Sequence, residues 1–404
     1  MALLKFQSLS FREKEVEVQV ILLNLFYADI PLEELKSIGF TSLKDAHTLE
    51  FQGDKDKAER KFLFLLEKYI DRLKNKLTGN SATYIHKFSE IPLIGNVAFG
   101  IVYRNSSIIE IKPVTSCNLN CPYCSISEGL YSKKHDFIVE REYLVDELKN
   151  LITSVDESIE VHIGVQGEPF LYAEIEELFE DLQAMEQVHT ISIDTNGTLL
   201  SKERIDRIAK NTKLQLNLSL DAIDVEVAKK MAGVPSYNIE HVKEMIRYAS
   251  EKMVKRPIVA PVLTQGFNEA EMEKIVLFIK SLPKQPILGI QNFLRYKTGR
   301  NPAPEMSWEF FYGLIADLEK KHDIKLKLSK EDFRIREIKE LPKPFRAGEV
   351  VTALIKCMDR FPHTVIAVAK NRTISVPRCE FKKDKKVTVK IVRDKHNIFV
   401  GNIV

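Results

Sequence analysis

Residues 108–125 read IIEIKPVTSCNLNCPYCS, a β-branched run that leads through KPVTS into Cys117, Cys121 and Cys124. Runs of the same kind recur downstream as IEVHIGV, HTISIDT, LQLNLSL, PIVAPVL and ILGIQNF. Between them lie amphipathic stretches such as REYLVDELKNLIT, AEIEELFEDLQAM, SKERIDRIAKN and NIEHVKEMIRYASEKM. Six strands with helical crossovers imply a parallel sheet, because parallel neighbours need a long return path. Right-handed crossovers curl such a sheet toward a barrel, open or closed. Its chemistry belongs at the carboxyl ends of the strands, and the cysteine stretch follows the first strand at that end.

The chain has 404 residues, long enough for two or three domains. A formal charge of +3 is near neutral for this length, so overall composition selects no acidic partner. No stretch approaches the roughly 20 apolar residues of a membrane span. VILLNLF at Val20–Phe26 lacks the flanks of a signal peptide, so no membrane association and a cytoplasmic location are expected. Five cysteines in a chain this long do not make a disulfide framework, and a reducing compartment leaves thiols available for metal. The first hundred residues hold an alternating VEVQV and a helical pattern over KAERKFLFLLEKYIDRLKNKL, with Phe62, Leu65, Leu66, Tyr69, Leu73 and Leu77 on one face.

Cys117, Cys121 and Cys124 follow C-x3-C-x2-C spacing. Structural zinc wants a fourth Cys or His, and Cys357 and Cys379 do not form a second C-x2-C pair. A redox dithiol leaves Cys117 unexplained. A 4Fe–4S cluster held by three thiolates keeps one iron open for an exogenous ligand, as a catalytic site does. The cluster is the favoured reading, with zinc and a dithiol as the alternatives.

This spacing, with Tyr123 just before the last cysteine and after the first strand of an α/β repeat, resembles the radical S-adenosylmethionine (SAM) superfamily. The resemblance implies a partial (βα)6 TIM-like barrel, in agreement with the six strands. It implies a 4Fe–4S cluster on Cys117, Cys121 and Cys124, with SAM on the open iron. SAM is then split to methionine and a 5′-deoxyadenosyl radical, with a small reducing protein of ferredoxin or flavodoxin type as electron donor. GVQGEP matches the Gly-Gly-Glu stretch beside the SAM amino group, with Gln166 at the first position and then Gly167 and Glu168. IDTNGTLL matches a Thr-Asn-Gly stretch with Asp194 and Asn196, and LNLSLDA offers Ser219 and Asp221 for ribose or carboxylate contacts. Tyr123 joins these as a cofactor-binding residue. The resemblance covers roughly residues 107–300.

The last segment is strand-like and short-turned: VVTALIK, TVIAVAK, RTISVP, KVTVKIVRD and NIFVGNIV. It reads as a five-stranded β-barrel with a net charge of +8, which leaves −5 for the rest of the chain. NFLRYKTGRNPAP, with Phe293, Arg295, Tyr296, Lys297 and Arg300, resembles the stretch that ends the barrel in tRNA methylthiotransferases, which carry a C-terminal TRAM domain that binds RNA. Their extra N-terminal cysteines are missing here, so sulfur insertion is not expected. The whole is read as α/β: an N-terminal α/β extension (1–105), a radical SAM core (106–345) and a basic TRAM- or OB-like barrel (346–404). The activity expected is that of an RNA-modifying transferase on tRNA or rRNA, by methylation or another carbon-centred change, with RNA held by the basic barrel. Small-molecule cofactor biosynthesis or peptide modification is the alternative. Removing residues 346–404 is expected to leave SAM cleavage intact. Cys357 and Cys379 are read as buried thiols rather than a methyl-carrying pair, and His162 as a core or barrel-lumen histidine.

Overall fold

Six parallel strands run side by side in sequence order: β1 (Ile108–Lys112), β2 (Ile159–Ile163), β3 (Val188–Thr195), β4 (Leu214–Leu218), β5 (Ile258–Val259) and β6 (Ile287–Leu288). The computed structural model describes residues 1–164 and 166–404; Val165, within the quoted IEVHIGV and GVQGEP, lies outside the described residues. A seventh strand, Gly100–Tyr103, pairs antiparallel with β1 at one edge. The sheet is open, with β6 at its other edge. Side chains from the first five parallel strands, joined by residues 289–292 just past β6, line one cavity, so the sheet curls around it. Burial alternates along β2 and β4 as a half-covered face requires.

The crossovers are α1 (Arg141–Val155), α2 (Ile175–Gln183), α3 (Lys202–Ile208), α4 (Val225–Ala232), α5 (Ile239–Lys252) and α6 (Glu269–Ser281), and α7 (Trp308–His322) follows β6. Ser201, Asp224, Asn238 and Ser307 accept first-turn N–H groups and so fix where α3, α4, α5 and α7 begin.

PIVAPVL and ILGIQNF each fold as two short pieces rather than one strand. Pro261 has no N–H for the ladder, so β5 stops at Val259. Val262–Leu263 then pairs with Gln291–Asn292 as a separate two-stranded sheet.

The N-terminal segment is two antiparallel sheets, of three and four strands, with helices Leu32–Ser37 and Lys55–Ile70. VEVQV is a strand as expected (Glu17–Leu22). The long helix is shorter than its apolar pattern: it ends at Ile70, Leu73 is buried beyond it and Leu77 is exposed. Phe62 instead anchors an aromatic cluster with Phe6, Phe11 and Phe51. This segment shares one continuous hydrophobic core with the six-stranded sheet.

The C-terminal strands β7 (Val350–Met358), β8 (Thr364–Ala369), β9 (Arg372–Pro377), β10 (Lys386–Arg393) and β11 (Val400–Ile403) close into a barrel in the order β7-β8-β9-β11-β10. It has its own core of Phe345, Ile355, Val376, Ile391 and Phe399 among others. Backbone bonds from Thr373 N to the Ile94 carbonyl and from Phe399 N to the Gly95 carbonyl, both 3.2 Å, dock it on the loop before Gly100–Tyr103. Among the described residues, no helix is long and apolar enough to cross a membrane.

Candidate active site

Past β1 the chain turns into a loop whose root is tied down by side chains. Thr115 Oγ1 donates to Asp136 Oδ1 at 2.8 Å and accepts from Phe137 N at 2.9 Å. Asn75, fully buried in the N-terminal segment, donates to Asp136 Oδ2 and to Ser116 Oγ, each at 2.8 Å. Gly167 holds the other side with φ +68°, and a Cβ there would collide with the Ser116 carbonyl, so only glycine fits. Farther out, Asn120 N bonds the Ala232 carbonyl at 2.9 Å, and Leu119, Ala232 and Val234 form a small apolar cluster against Cys117 and Cys121.

Cys117, Cys121 and Cys124 line one wall of a cavity of about 290 Å³. Tyr123, Gly167, Glu168, Asp194, Asn196 and Ser219 line it too, so the structure gathers these expected residues at the strand ends. Glu168 is buried, with Oε1 accepting from Thr195 Oγ1 (2.8 Å) and Phe170 N (3.1 Å) and Oε2 from Asn196 N (2.8 Å). Burial pushes its pKa up to about 7 in spite of these donors. The Asn196 side chain is spent on the loop: its amide donates to Asn118 Oδ1 at 2.9 Å and its Oδ1 accepts from Thr198.

Two expected contacts fall elsewhere. Gln166 points its amide at the Val97 carbonyl (3.3 Å), away from the cavity, and its Oε1 is buried without a hydrogen-bond partner among the described residues. Asp221 accepts the Tyr123 hydroxyl on Oδ2 and Val262 N at 2.8 Å on Oδ1. It thus braces the cysteine loop and replaces the ladder bond lost near Pro261. Arg300, from the NFLRYKTGRNPAP stretch, turns inward: its guanidinium donates to the carbonyls of Cys121 (2.6 Å) and Glu128.

The donor set fits an iron–sulfur cluster. Among the described residues, no three His, Cys, Asp or Glu side chains converge on a single ion. The three thiols instead share a cavity wall. Burial pushes Cys121 up to about 12 and raises Cys117, with neighbouring thiols and carboxylates adding to the shift. Thiolates become favourable there once a cationic metal centre offsets that burial. Cys357 and Cys379 are buried, as expected, and neither lines the cavity.

A second cavity of about 640 Å³ occupies the concave face of the sheet and shares Asp194, Gln291, Asn292, Leu294 and Tyr296 with the first. His162 is on its wall, with Nδ1 2.8 Å from Ser192 Oγ and Nε2 3.1 Å from Asp194 Oδ2. Burial alone would lower the His162 pKa, but the Asp194 carboxylate outweighs it and holds it above its ordinary value. A raised folded-state pKa contributes stability that is complete below the unfolded value and is lost as pH rises through the folded one. His162→Gln is therefore expected to cost more stability at pH 5.5 than at pH 9, read as the gap in melting temperature from the native chain.

Asn75, Glu128, Asp136 and Arg360 belong to the site and were not singled out from sequence; none sits in a motif. Arg360, in the β7–β8 connection, is buried and ion-paired to Glu128 beside the cysteine loop. Removing residues 346–404 would strip that carboxylate, which lines the cysteine cavity, of its cationic partner.

The family model of the Radical SAM superfamily matches residues 111–279. An uncharacterized protein of Methanocaldococcus jannaschii is 33% identical over 93% of this chain and 92% of its own length. A GTP 3′,8-cyclase of Thermodesulfovibrio yellowstonii is 31% identical over 45% of the chain, which spans 55% of that enzyme. SuiB of Streptococcus suis, solved with S-adenosylmethionine, aligns over 80% of this chain and 72% of its own at 17% identity and a TM-score of 0.45. With its three thiols on one cavity wall, this chain belongs to the radical SAM superfamily, whose members use a 4Fe–4S cluster and S-adenosylmethionine.

Proposed function

We propose that this chain modifies RNA, tRNA or rRNA, at a nucleotide whose reacting part enters the cavity inside the curled sheet. The observation that carries this reading is the continuity of the cysteine-lined cavity with that larger one, beside a barrel of net charge +8. When bound, the cluster and SAM supply a 5′-deoxyadenosyl radical able to take hydrogen from a carbon of the substrate.

The chain's own residues position and shield. Glu168 keeps acceptor capacity beyond its three bonds and offers a carboxylate to the SAM ammonium. Asn217 and Asn292 line the larger cavity, their amides donating to Asp194 Oδ1 (3.0 Å) and the Met306 carbonyl (2.9 Å). On the wall of the same cavity Trp308 stacks on Tyr312 with ring centroids 5.7 Å apart, an apolar face for a planar ring.

On the barrel, exposed Phe361 and Phe381 lie among exposed Arg378, Lys382, Lys385 and Lys386, the mixture of stacking faces and cations that holds single-stranded RNA. Lys385→Ala/Lys386→Ala is expected to weaken RNA binding and to reduce the slope of log K against log salt by about 1.4 for two lost phosphate contacts. Filter binding across a salt series measures it; an unchanged slope removes these lysines from the interface.

A free nucleotide-sized substrate is the second reading. It is favoured by the size of the inner cavity and by similarity to enzymes named for cyclising GTP. Mass spectrometry of tRNA and rRNA nucleosides from cells with and without the protein separates the two. A missing nucleoside supports RNA, and identical profiles with intact SAM cleavage support the small molecule.

A further inference from the structure

The C-terminal barrel reaches the cysteine loop through two consecutive residues. Arg360 has a side-chain exposure of 4% and ion-pairs with Glu128, itself 3% exposed, while its Nη1 lies 3.7 Å from Asp136 Oδ1. The next residue, Phe361, lies under the Lys134 ammonium at 5.5 Å, and Lys134 donates to the Ile126 carbonyl within the loop. Glu128 lines the cysteine cavity, and its backbone N–H donates to Cys124 Sγ at 3.3 Å. Its carbonyl accepts from Arg300, which also holds the Cys121 carbonyl. Asp136, the other carboxylate that Arg360 faces, is the one that Asn75 and Thr115 hold at the loop root.

Segments far apart in sequence thus converge on one short stretch: Asn75 from the N-terminal sheets and Arg360 from the barrel, with the cysteines between. Burying a guanidinium and two carboxylates is a poor way to gain stability, since an apolar replacement of similar volume is often as good or better. Its geometric effect is specific, because a planar fork fixes the orientation of the carboxylate it meets.

We propose that Arg360 is a positioning residue for the metal centre, by which the C-terminal barrel sets the placement of Glu128 and hence of the Cys124 sulfur. The barrel is then a support of the active-site loop and not a detachable reader, whatever substrate the enzyme takes. A macromolecule docking on the barrel is mechanically linked to the cluster loop through Arg360 and its neighbour Phe361.

The full chain is made as the native protein and as Arg360→Lys, Arg360→Met and Arg360→Met/Glu128→Met. Two readouts do not depend on turnover: the alkylation rate of Cys124 relative to Cys117 in the metal-free protein, by peptide mass spectrometry, and the EPR spectrum of the reduced, reconstituted protein with and without SAM. In Arg360→Met, Cys124 is expected to be alkylated about tenfold faster as the loop opens locally, and the EPR line shape to differ from native. The double variant, which removes Glu128 along with its partner and leaves Asp136 to its bonds from Asn75 and Thr115, is expected to recover most of the lost melting temperature yet keep the fast alkylation and the altered spectrum. Arg360→Lys keeps the charge without the fork and is expected to fall between. Recovery of stability, Cys124 protection and native spectrum together in the double variant would make the pair merely structural and overturn the proposal. If Arg360→Met does not fold, Arg360→Lys decides: native Cys124 reactivity and spectrum in that variant overturn it as well.

Discussion

Cys121→Ala is expected to yield a folded protein that holds no cluster and forms no 5′-deoxyadenosine. The thiol packs against the small cluster of Leu119, Ala232 and Val234 and beside Tyr123, and its loop is held by backbone bonds and by Arg300 on the Cys121 carbonyl. Truncation to alanine therefore costs little packing, about 1 kcal/mol, and the melting temperature of the metal-free chain is expected to stay within a few degrees of native. The loss falls on the metal: three thiolates are the least that hold a cluster with one open iron, and two leave it labile. Iron after reconstitution is expected to drop from about four per chain to well under one, with the broad absorbance near 400 nm gone. Retention of native iron and product by this variant would show that the cluster sits elsewhere.

Glu168→Ala has the second largest effect, and it is of a different kind. Its carboxylate is buried and accepts three hydrogen bonds, from Thr195 Oγ1, Phe170 N and Asn196 N. Removing it leaves buried donors unsatisfied at about 1–3 kcal/mol each, partly relieved by relaxation. The turn carrying Asn196 loses its anchor, and with it the bond from Asn196 to Asn118 between two cysteines. The variant is expected to melt markedly lower and still accept a cluster. It is expected to bind SAM about 100-fold more weakly, a charge-assisted bond to the ammonium having been lost. Equilibrium binding of SAM to the reconstituted protein measures this; native affinity would mean that Glu168 only supports the fold.

Much of this was legible in the chain. Six β-branched runs separated by amphipathic stretches gave six parallel strands, because side-chain period and crossover length are local properties. The five short runs after Arg346 gave the closed barrel for the same reason. Breaks in the pattern were harder. Pro261 and Gly289 interrupt runs whose composition still reads as strand, and the apolar spacing past Ile70 continues after the helix has stopped.

At the site, residues adjacent to a motif were found and residues that support it from a distance were not. Asn75, Asp136 and Arg360 meet only because separate segments pack together, and no spacing encodes that. Charge counting also misled in part. Arg360 adds to the +8 but is buried, and Lys356 and Lys383 of the barrel are paired with Glu90 and Asp71 of the N-terminal segment. Asp221 and Gln166 occupy the expected strand ends, but their side chains serve neighbouring loops, a matter of rotamer and register that the motif does not specify.

The central claim is that Cys117, Cys121 and Cys124 hold a four-iron cluster with one corner left for SAM. It is tested most directly by EPR of the anaerobically reconstituted, dithionite-reduced protein before and after SAM, with 5′-deoxyadenosine measured in the same sample. The account expects a 4Fe–4S signal that shifts when SAM is added and 5′-deoxyadenosine that appears only with reductant. A single tightly held zinc per chain, or a cluster whose spectrum ignores SAM and gives no 5′-deoxyadenosine, would contradict it.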